Sequence, residues 1–430
     1  MTDQVDVVVL GLGSGGEYAA RKLAEAGLTV VGVERDLVGG ECPFWGCTPS
    51  KLLIHSAQRG QPWSRAADRI REANHDWSDH THAGPLEEAG VRIVRGHGRL
   101  AGPGRVEVAG ATYDARLGVL LNTGTEPSVP DLDGLAGTPY WTNRDVMRQT
   151  EPPETLAVLG AGPIGCELAQ AFARFGTRVT MLEMRDRILC PEEPEACEVV
   201  TQALRRDRVE VRTGVEVTGV RHDGTFALAV GDDTVVADRL LVATGRSMHL
   251  ADIGLETVGL DPGADHLETD ERMRAGERLW AVGDITGLGA YTHLSLYQAR
   301  IAVRDLLGED GPWADHHAIS RVTFTDPEVG AVGMTEEQAR EGGLRVAVAR
   351  ADIAASSRGW IAEAEGVVKV VADADRGVLV GGTVAAPYGG EVVGLLTAAV
   401  HAAIPVTTLR EMQYAYPTFH RAIARALADL

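Results

Sequence analysis

Apolar and polar positions repeat in the same order twice in the first half of the chain. The first copy has an apolar run over 6–10, a glycine-rich turn over 11–16, a helical period to about Gly27 and a second apolar run that ends at Glu34. The same order returns between Thr155 and Glu183. Because strand, helix and strand in this order build a parallel sheet, the pattern predicts two doubly wound α/β units.

Both turns follow the spacing G-x-G-x-x-G. The first glycine permits a tight turn, the second lets the backbone approach a pyrophosphate, and the third lets helix and strand pack closely. A glutamate follows 23 positions after the first glycine of each copy, and its carboxylate can accept hydrogen bonds from a ribose diol. The two copies predict two Rossmann-like dinucleotide sites, with ligand-free glycine turns as the alternative. The residues are Gly11, Gly13, Gly16 and Glu34, and then Gly160, Gly162, Gly165 and Glu183.

The pattern changes from about His316. Apolar runs over 366–371 and 377–382 flank a polar turn, which is typical of an antiparallel hairpin. Helical periods follow over 389–403 and from 419 to the end, so we expect a C-terminal α+β domain. The predicted domains are a first nucleotide-binding domain over 1–150 and 276–315, a second over 151–275, and the C-terminal domain over 316–430.

The charge of the chain excludes some partners. The 430 residues carry 41 Lys and Arg against 61 Asp and Glu, a net charge of −20. Such a surface disfavours nucleic acid and anionic membranes as partners. No apolar stretch approaches the ~20 residues of a membrane span, and the acidic N-terminus is unlike a signal peptide. We therefore expect a cytoplasmic protein that acts on a small molecule.

Two of the five cysteines lie close together, in the segment from Gly39 to Lys51. Cys42 and Cys47 are separated by four residues, and a pair of this kind can store two electrons as a dithiol. In a reducing compartment a close pair is more often catalytic or metal-binding than structural. No second Cys or His pair has zinc-ligand spacing, so we predict no metal site. Lysine occurs only at 22, 51 and 369, which makes Lys51 beside the pair a notable cation.

Taken in order, these motifs resemble those of the FAD-dependent pyridine nucleotide–disulfide oxidoreductases. The resemblance covers essentially the whole chain, and it implies a homodimer whose active site forms between subunits. It rests on both glycine turns, the C-x4-C-x2-S-K segment, and the motifs Thr123-Gly124, Thr244-Gly245-Arg246, Gly283-Asp284, 325–330 and Tyr416-Pro417-Thr418.

The resemblance implies cofactors for both turns. The first turn and Glu34 would hold the ADP half of FAD, and Asp284 would contact the ribityl chain. The second turn and Glu183 would hold the nicotinamide nucleotide. A carboxylate there favours NADH, whereas Arg185 and Arg187 leave NADPH open. Further cofactor-binding residues would be Gly40, Thr123, Gly124, Gly245 and Arg246.

The resemblance also implies catalytic roles. Cys47 would be the thiolate stacked on the flavin, and Cys42 the outer thiol that exchanges with substrate. Lys51 and Glu167 would form an ion pair near the reactive edge of the flavin. Electrons would then pass from the nicotinamide through FAD and the Cys42–Cys47 disulfide to a small disulfide or another thiol-reactive substrate.

One departure from the family pattern affects the choice of substrate. The disulfide reductases end with a His-Pro-Thr motif and a glutamate, but this chain has Tyr416 and Arg421 at those positions. Tyrosine, with a reference pKa near ~10, is a poor base at neutral pH. The alternatives are flavin-direct reduction of a quinone (diaphorase activity), thiolate-driven C–S or C–metal cleavage like that of 2-ketopropyl-coenzyme M oxidoreductase/carboxylase or mercuric reductase, and a scaffold subunit with little turnover.

The segment between Cys47 and Gly96 is shorter than in typical relatives. Its aromatic and histidine residues indicate either a reshaped pocket, a metal site or a polar connecting loop, and for the histidines we favour the loop. These residues are Trp63, His75, Trp77, His80 and His82. The remaining cysteines, Cys166, Cys190 and Cys197, are expected to be packing residues.

Overall fold

A computed structural model describes residues 2–248 and 250–430. Its strands are β1 Thr2–Leu10, β2 Val30–Glu34, β3 Arg92–Arg95, β4 Arg99–Leu100, β5 Arg105–Val108, β6 Ala111–Leu121, β7 Thr125–Pro127, β8 Thr155–Leu159, β9 Arg178–Glu183, β10 Glu210–Thr213, β11 Val217–Asp223, β12 Thr225–Val230, β13 Asp233–Ala237, β14 Arg239–Val242, β15 Arg246–Met248, β16 Arg274–Gly276, β17 Leu279–Ala281, β18 Ser320–Thr323, β19 Glu328–Gly333, β20 Val346–Asp352, β21 Val367–Asp373 and β22 Val378–Ala386.

The helices alternate with the strands in the first two thirds of the chain. They are α1 Ser14–Glu25, α2 Glu41–Phe44, α3 Cys47–Gln58, α4 Trp63–Ala73, α5 His80–Glu88, α6 Asn143–Val146, α7 Pro163–Arg174, α8 Pro194–Arg206, α9 Thr292–Leu306, α10 Glu336–Glu341, α11 Ser357–Ala362, α12 Gly389–His401, α13 Val406–Arg410 and α14 His420–Ala428. Short 3-10 helices cover His75–Trp77, Leu255–Val258 and Asp284–Thr286.

The chain forms two compact units. The first contains residues 1–50, 68–128 and 246–315, and the second contains residues 51–67, 129–245 and 316–430. The predicted domain boundaries stay a prediction.

The first unit is built on a sheet with the order β16-β17-β6-β1-β2-β3, extended by β4 and β5. Strands β17, β6, β1, β2 and β3 run parallel to one another along this path, whereas β16 pairs antiparallel with β17. Val7 and Val9 of β1 pack into the core on one face, whereas Val8 and Leu10 pack into the core on the other. Because successive strand residues point to opposite faces, the run 7–10 of β1 is apolar at every position, as expected for a sheet covered on both sides.

The second unit contains a parallel sheet, β10-β9-β8-β14, with an antiparallel sheet, β11-β12-β13. Its C-terminal part is an antiparallel sheet with the order β18-β19-β22-β21-β20, and α12 and α14 pack on it. The sheets of both units confirm the predicted class, with two doubly wound α/β nucleotide-binding folds and a C-terminal α+β fold. Among the described helices, none is long and apolar enough to cross a membrane.

The predicted polar loop after the cysteine pair is wrong, because most of that segment is helical. Helices α3, α4 and α5 cover 47–58, 63–73 and 80–88. Trp63 is buried in α4, where its ring stacks on Phe172 at 5.1 Å between ring centroids. The burial of this aromatic residue and of Ala66 and Ile70 gives α4 a core-facing side, which the polar composition of the segment concealed.

A buried ion cluster joins α8, α10 and β21 within the second unit. Lys369 is only 4% exposed, and its Nζ lies 2.8 Å from Glu193 Oε2 and 2.9 Å from Glu336 Oε2. Glu195 contacts the same ammonium at 3.1 Å. Hydrogen bonds from Lys369 and Arg340 lower the pKa of Glu336 below its ordinary value of 4.5. The stabilisation that Glu336 provides is therefore present above that ordinary value and is lost as the pH falls through the lower folded value.

Replacing Lys369 by methionine should destabilise the second unit by about 3–5 kcal/mol at neutral pH, since the buried carboxylate of Glu193 would lose its cation. The deficit should shrink as the pH falls and Glu336 becomes protonated. Urea denaturation of wild-type and K369M protein between pH 4 and 8 measures this difference. The control is K22M, which removes a solvent-exposed pair with Glu25 and should leave the stability nearly unchanged. Equal losses in the two variants would contradict the expectation.

Candidate redox site and nucleotide-binding turns

The first glycine turn is closed so tightly that side chains are excluded from two of its positions. Gly11 has a φ of +92°, and a Cβ there would lie 2.3 Å from the carbonyl oxygen of Asn122. A Cβ at Gly16 would lie 2.0 Å from the carbonyl oxygen of Gly11. Both distances are far below contact distance, so the predicted spacing has a steric cause.

Asn122, which the sequence did not single out, holds this turn in place. Its Oδ1 accepts a hydrogen bond from Gly16 N at 2.8 Å. Its Nδ2 donates to Val282 O at 2.9 Å and to Ser295 Oγ at 3.2 Å. One buried amide thus connects the turn, the strand that precedes Asp284, and α9. Its position at the end of the apolar β6 was the available signal.

Glu34 caps the first turn from the neighbouring strand. Its Oε2 accepts from Leu12 N at 2.8 Å, and its Oε1 accepts from Asp36 N at 2.8 Å. Burial raises the pKa of Glu34, although the backbone donors oppose this shift. The carboxylate is therefore oriented by the backbone of its own unit, with lone pairs left for a ribose diol.

The second turn repeats this arrangement. A Cβ at Gly160 would lie 2.5 Å from Ala243 O, and one at Gly165 would lie 2.1 Å from Gly160 O. Glu183 Oε2 accepts from Ala161 N at 2.7 Å, and its Oε1 accepts from Arg185 N at 2.9 Å. Pro163 begins α7, where its missing N–H costs nothing.

The two turns leave space where a pyrophosphate would approach. A Cβ at Gly162 or at Gly124 would meet no atom of the described residues within 4 Å. At Gly13 it would meet only Asn122 Oδ1, at 3.3 Å. Within the described residues, the Oγ1 of Thr123 is buried without a hydrogen-bond partner. Open glycine positions at helix N-termini and an unsatisfied hydroxyl both fit dinucleotide ligands.

Asp284 belongs to a short polar chain in the first unit. Thr125 Oγ1 donates to Asp284 Oδ2 at 2.7 Å and accepts from Arg246 Nε at 2.6 Å. Arg246 Nη2 also donates to Thr125 O at 2.7 Å and lies 3.5 Å from Glu41 Oε2. Burial raises the pKa of Asp284. Arg246 therefore orients Asp284 through Thr125. Gly245, directly before Arg246, has a φ of +134°.

The cysteine segment is packed directly against the first turn. Gly39 N donates to Leu12 O at 2.8 Å, and a Cβ at Gly40 would lie 2.9 Å from Gly13 Cα. Both Gly39 and Gly40 have positive φ, 108° and 71°. The two glycines thus permit a backbone contact that carries α2 and its Cys42 to the edge of the turn.

The two thiols interact with each other and with the start of α9. A hydrogen bond with Cys47, together with burial, raises the pKa of Cys42 well above its ordinary value. Cys47 is exposed, begins α3, and lies 3.4 Å from Thr292 Oγ1 through its Sγ. A helix N-terminus favours a thiolate, so the arrangement favours a charged Cys47 beside a protonated Cys42.

Lys51 and Glu167 form an ion pair in the second unit. Lys51 Nζ lies 2.9 Å from Glu167 Oε2, and Glu167 is 5% exposed. Phe324 N donates to Glu167 Oε1 at 2.8 Å, and its ring centroid lies 4.6 Å from Lys51 Nζ. The carboxylate is satisfied on both oxygens, which fixes the position of the lysine ammonium.

Tyr416 lies on the surface of the second unit. It is 70% exposed, and its hydroxyl donates to Ser357 Oγ at 2.8 Å. The Arg421 guanidinium lies 6.0 Å from its ring centroid. The structure thus presents a hydrogen-bonded phenol at the position where the resemblance would require histidine.

The remaining cysteines differ in their burial. Cys166 and Cys197 are buried packing residues, as expected, whereas Cys190 is half-buried. Across residues 2–248 and 250–430, no group of three or more His, Cys, Asp or Glu side chains could hold a metal ion.

Replacing Gly16 by alanine should prevent the first turn from closing, because the new methyl group would clash with a backbone carbonyl. We expect loss of bound flavin and a destabilisation of about 1–3 kcal/mol. Flavin absorbance per polypeptide and the thermal unfolding midpoint measure these effects. The control is G84A in α5, where a Cβ meets nothing in the described structure within 4 Å and alanine favours the helix. Normal flavin content in G16A would contradict the expectation.

Comparison with known proteins agrees with this geometry. Residues 5–305 match the family described as pyridine nucleotide-disulphide oxidoreductase, and residues 319–427 match the dimerisation domain of that family. Dihydrolipoyl dehydrogenase of Thermus scotoductus is 31% identical over 99% of this chain and 97% of the relative. Mercuric reductase of Streptomyces lividans is 32% identical over 98% of this chain and 95% of the relative.

Solved structures give the same result. The Cu(II) complex of the HOCl-induced flavoprotein disulfide reductase RclA from Escherichia coli has a TM-score of 0.89 and 26% identity, covering 100% of both chains. The predicted enzyme class and cofactors are confirmed, since members of the family are flavoprotein oxidoreductases that use FAD and NAD(P)H. Sequence, fold and paired thiols together establish that the chain belongs to the pyridine nucleotide–disulphide oxidoreductase family.

Proposed function

We propose that the chain transfers electrons from NADH through FAD and the Cys42–Cys47 pair to a small disulfide or another thiol-reactive substrate. The observation that carries this proposal is the position of the thiol pair, whose segment is held against the first glycine turn by Gly39 and Gly40 and whose Cys47 Sγ lies 3.4 Å from Thr292 Oγ1. A thiol pair held beside a flavin site can exchange electrons with both the cofactor and an external sulfur compound.

The exchange with a disulfide balances as follows. The Cys42 thiol loses its proton to solvent. The resulting thiolate attacks one substrate sulfur, which breaks the substrate S–S bond and releases a substrate thiolate. The Cys47 thiolate then attacks Cys42 Sγ, which releases the second substrate thiolate and forms the Cys42–Cys47 disulfide. Each released thiolate takes a proton from solvent. The contact of Thr292 with Cys47 positions the inner sulfur for the second attack.

The bound cofactors supply hydride and electron transfer, and the protein residues hold them. In the proposed FAD-binding domain, 1–150 and 276–315, the binding residues are Gly11, Gly13, Gly16, Glu34, Gly40, Thr123, Gly124 and Asp284. Arg246, from the segment 151–275, orients Asp284 through Thr125. In the proposed NAD(P)-binding domain, 151–275, they are Gly160, Gly162, Gly165, Glu183 and Gly245. The orientation of the Glu183 carboxylate by two backbone N–H groups supports a ribose diol, and hence NADH, over a 2′-phosphate.

Assembly and location complete the proposal. A C-terminal domain over 316–430 would form the homodimer, and its exposed Tyr416 would face the partner subunit. The low cysteine content and the charge of −20 support a reducing compartment, the cytoplasm, and a small-molecule substrate rather than nucleic acid.

Anaerobic titration with NADH tests the electron path. One equivalent should convert the oxidised pair into free thiols at Cys42 and Cys47, measured by alkylation and mass spectrometry, while flavin absorbance stays largely oxidised. C42S and C47S should each lose more than about 10³-fold of disulfide reductase activity. The matched control is C190S, a half-buried cysteine of the second unit that should retain activity.

Two outcomes would contradict the electron path. If NADH bleaches the flavin without releasing thiols, the acceptor takes electrons directly from the flavin, as in a quinone reductase. If C42S and C47S retain reductase activity, the pair has no role in turnover.

A metal ion is a second candidate substrate, and Tyr416 is the observation that favours it. A phenol is a poor proton donor and acceptor for thiol exchange at neutral pH, whereas reduction of a metal ion needs no such proton. Relatives include mercuric reductases, and RclA has been solved with Cu(II). The pair would supply two electrons, enough to reduce one Hg(II) to Hg(0) or two Cu(II) to Cu(I).

Substitution of Tyr416 separates the two substrates. If metal ions are the substrate, Y416F should keep the rate of NADH-dependent Hg(II) or Cu(II) reduction within about twofold of wild type, because that reduction needs no proton from this position. Y416H should raise activity on a small disulfide by up to about 10²-fold, because histidine supplies the missing acid–base group. The metal proposal fails if wild type reduces neither ion or if Y416F loses the reduction of both, and S357A controls for loss of the Ser357 hydrogen bond alone.

A further inference from the structure

Three consecutive residues near the thiol pair adopt a backbone conformation that side chains disfavour. His75, Asp76 and Trp77 have φ values of 47°, 52° and 59°. None is glycine, so each places its Cβ in the left-handed region at a cost in free energy. Strain of this kind persists only where surrounding contacts impose it, and it is concentrated at functional sites.

The strained turn places Trp77 against the loop between the cysteines. The Trp77 ring stacks on Trp45, with 5.9 Å between ring centroids and 21° between ring planes. Trp45 is 4% exposed and stands two positions before Cys47. The stacking therefore fixes the residues that separate the two sulfurs.

A hydrogen bond on the same side holds the first half of this loop. Asn74 is buried, and its Nδ2 donates to Phe44 O at 3.1 Å. Its own backbone carbonyl accepts from Ser78 N at 3.2 Å, which closes the strained turn. The amide of Asn74 therefore ties the turn to the carboxyl end of α2, the helix that carries Cys42.

Residues 79–82, after the strained turn, contact the chain just before and within α2. The His82 ring lies 5.7 Å from the Phe44 ring in an edge-on contact, and a Cβ at Gly39 would lie 3.0 Å from His82 Cγ. Its Nδ1 lies 3.1 Å from Glu17 Oε2 on α1. Asp79 Oδ2 accepts from Val38 N at 2.8 Å. Residues 74–82, here named the redox brace, thus contact the loop before, within and after α2.

We propose that the redox brace positions Cys42 and Cys47 for each other and thereby sets the stability of their disulfide, with Trp77 as the central positioning residue. The inference rests on the proposed redox role of the pair. Holding two thiols adjacent raises the effective concentration of one sulfur at the other, which favours bond formation. Loss of the brace should therefore weaken the disulfide and make the pair a stronger oxidant.

Paired substitutions at Asp76 test the brace without touching an aromatic ring. D76G and D76V remove the same exposed carboxylate, but glycine accepts a left-handed backbone and the β-branched valine does not. W77A removes the stacking, whereas W77F retains an aromatic ring on Trp45. All four variants are compared with wild-type holoenzyme in buffers of reduced and oxidised dithiothreitol, with the Cys42–Cys47 disulfide quantified by alkylation and mass spectrometry.

W77A and D76V should lower the equilibrium constant for disulfide formation by about tenfold, which is about 30 mV toward a less negative potential. D76G and W77F should stay within about twofold of wild type. Should W77A fold poorly, the Asp76 pair carries the test alone. If wild type forms no Cys42–Cys47 disulfide, the proposed function fails. If wild type forms it and D76V matches D76G, the brace inference is overturned.

Discussion

The side-chain amide of Asn122 holds the first glycine turn closed by bonding Gly16, Val282 and Ser295 at once. That closure leaves Gly13 available for contact with Gly40, and the contact brings the cysteine segment to the edge of the turn. If the turn opened, α1, α9 and α2 would lose the contacts that hold them next to one another. The position of the reactive sulfurs therefore depends on a buried amide that does not contact them. Glycines and one polar side chain, rather than large apolar contacts, hold the cysteine segment in place here.

Both glycine turns position their glutamate with equivalent backbone hydrogen bonds. In each unit a glutamate at the end of the second strand accepts from the backbone N–H that follows the first glycine and from a second backbone N–H two positions after itself. The carboxylate is therefore positioned by the fold before any ligand arrives, which lowers the cost of binding. The two turns differ in their surroundings, since the segment that carries the thiol pair packs against the first turn.

Local pattern was sufficient to predict the strands that flank the glycine turns, the turns themselves and both glutamates, because spacing alone encodes them. Asn122 and Thr292 could not be predicted, since a single polar residue has no periodicity and its partners lie more than 100 positions away along the chain. The helices after the cysteine pair were missed because their buried faces are short and interrupted by polar residues. The left-handed turn at 75–77 contains no glycine, so nothing in its composition indicates its conformation.

The scarcity of lysine has a consequence for how this protein can be modified. All three lysines are paired with carboxylates: Lys22 with Glu25, Lys51 with Glu167, and Lys369 with its cluster. Lys369 is buried, so acylating enzymes and amine-reactive cross-linkers could reach essentially Lys22 and, in part, Lys51. Arginine supplies nearly all of the remaining positive charge, and it does not undergo acetylation under cellular conditions. The strongly negative surface is therefore almost insensitive to the commonest charge-removing modification of bacterial and eukaryotic proteins.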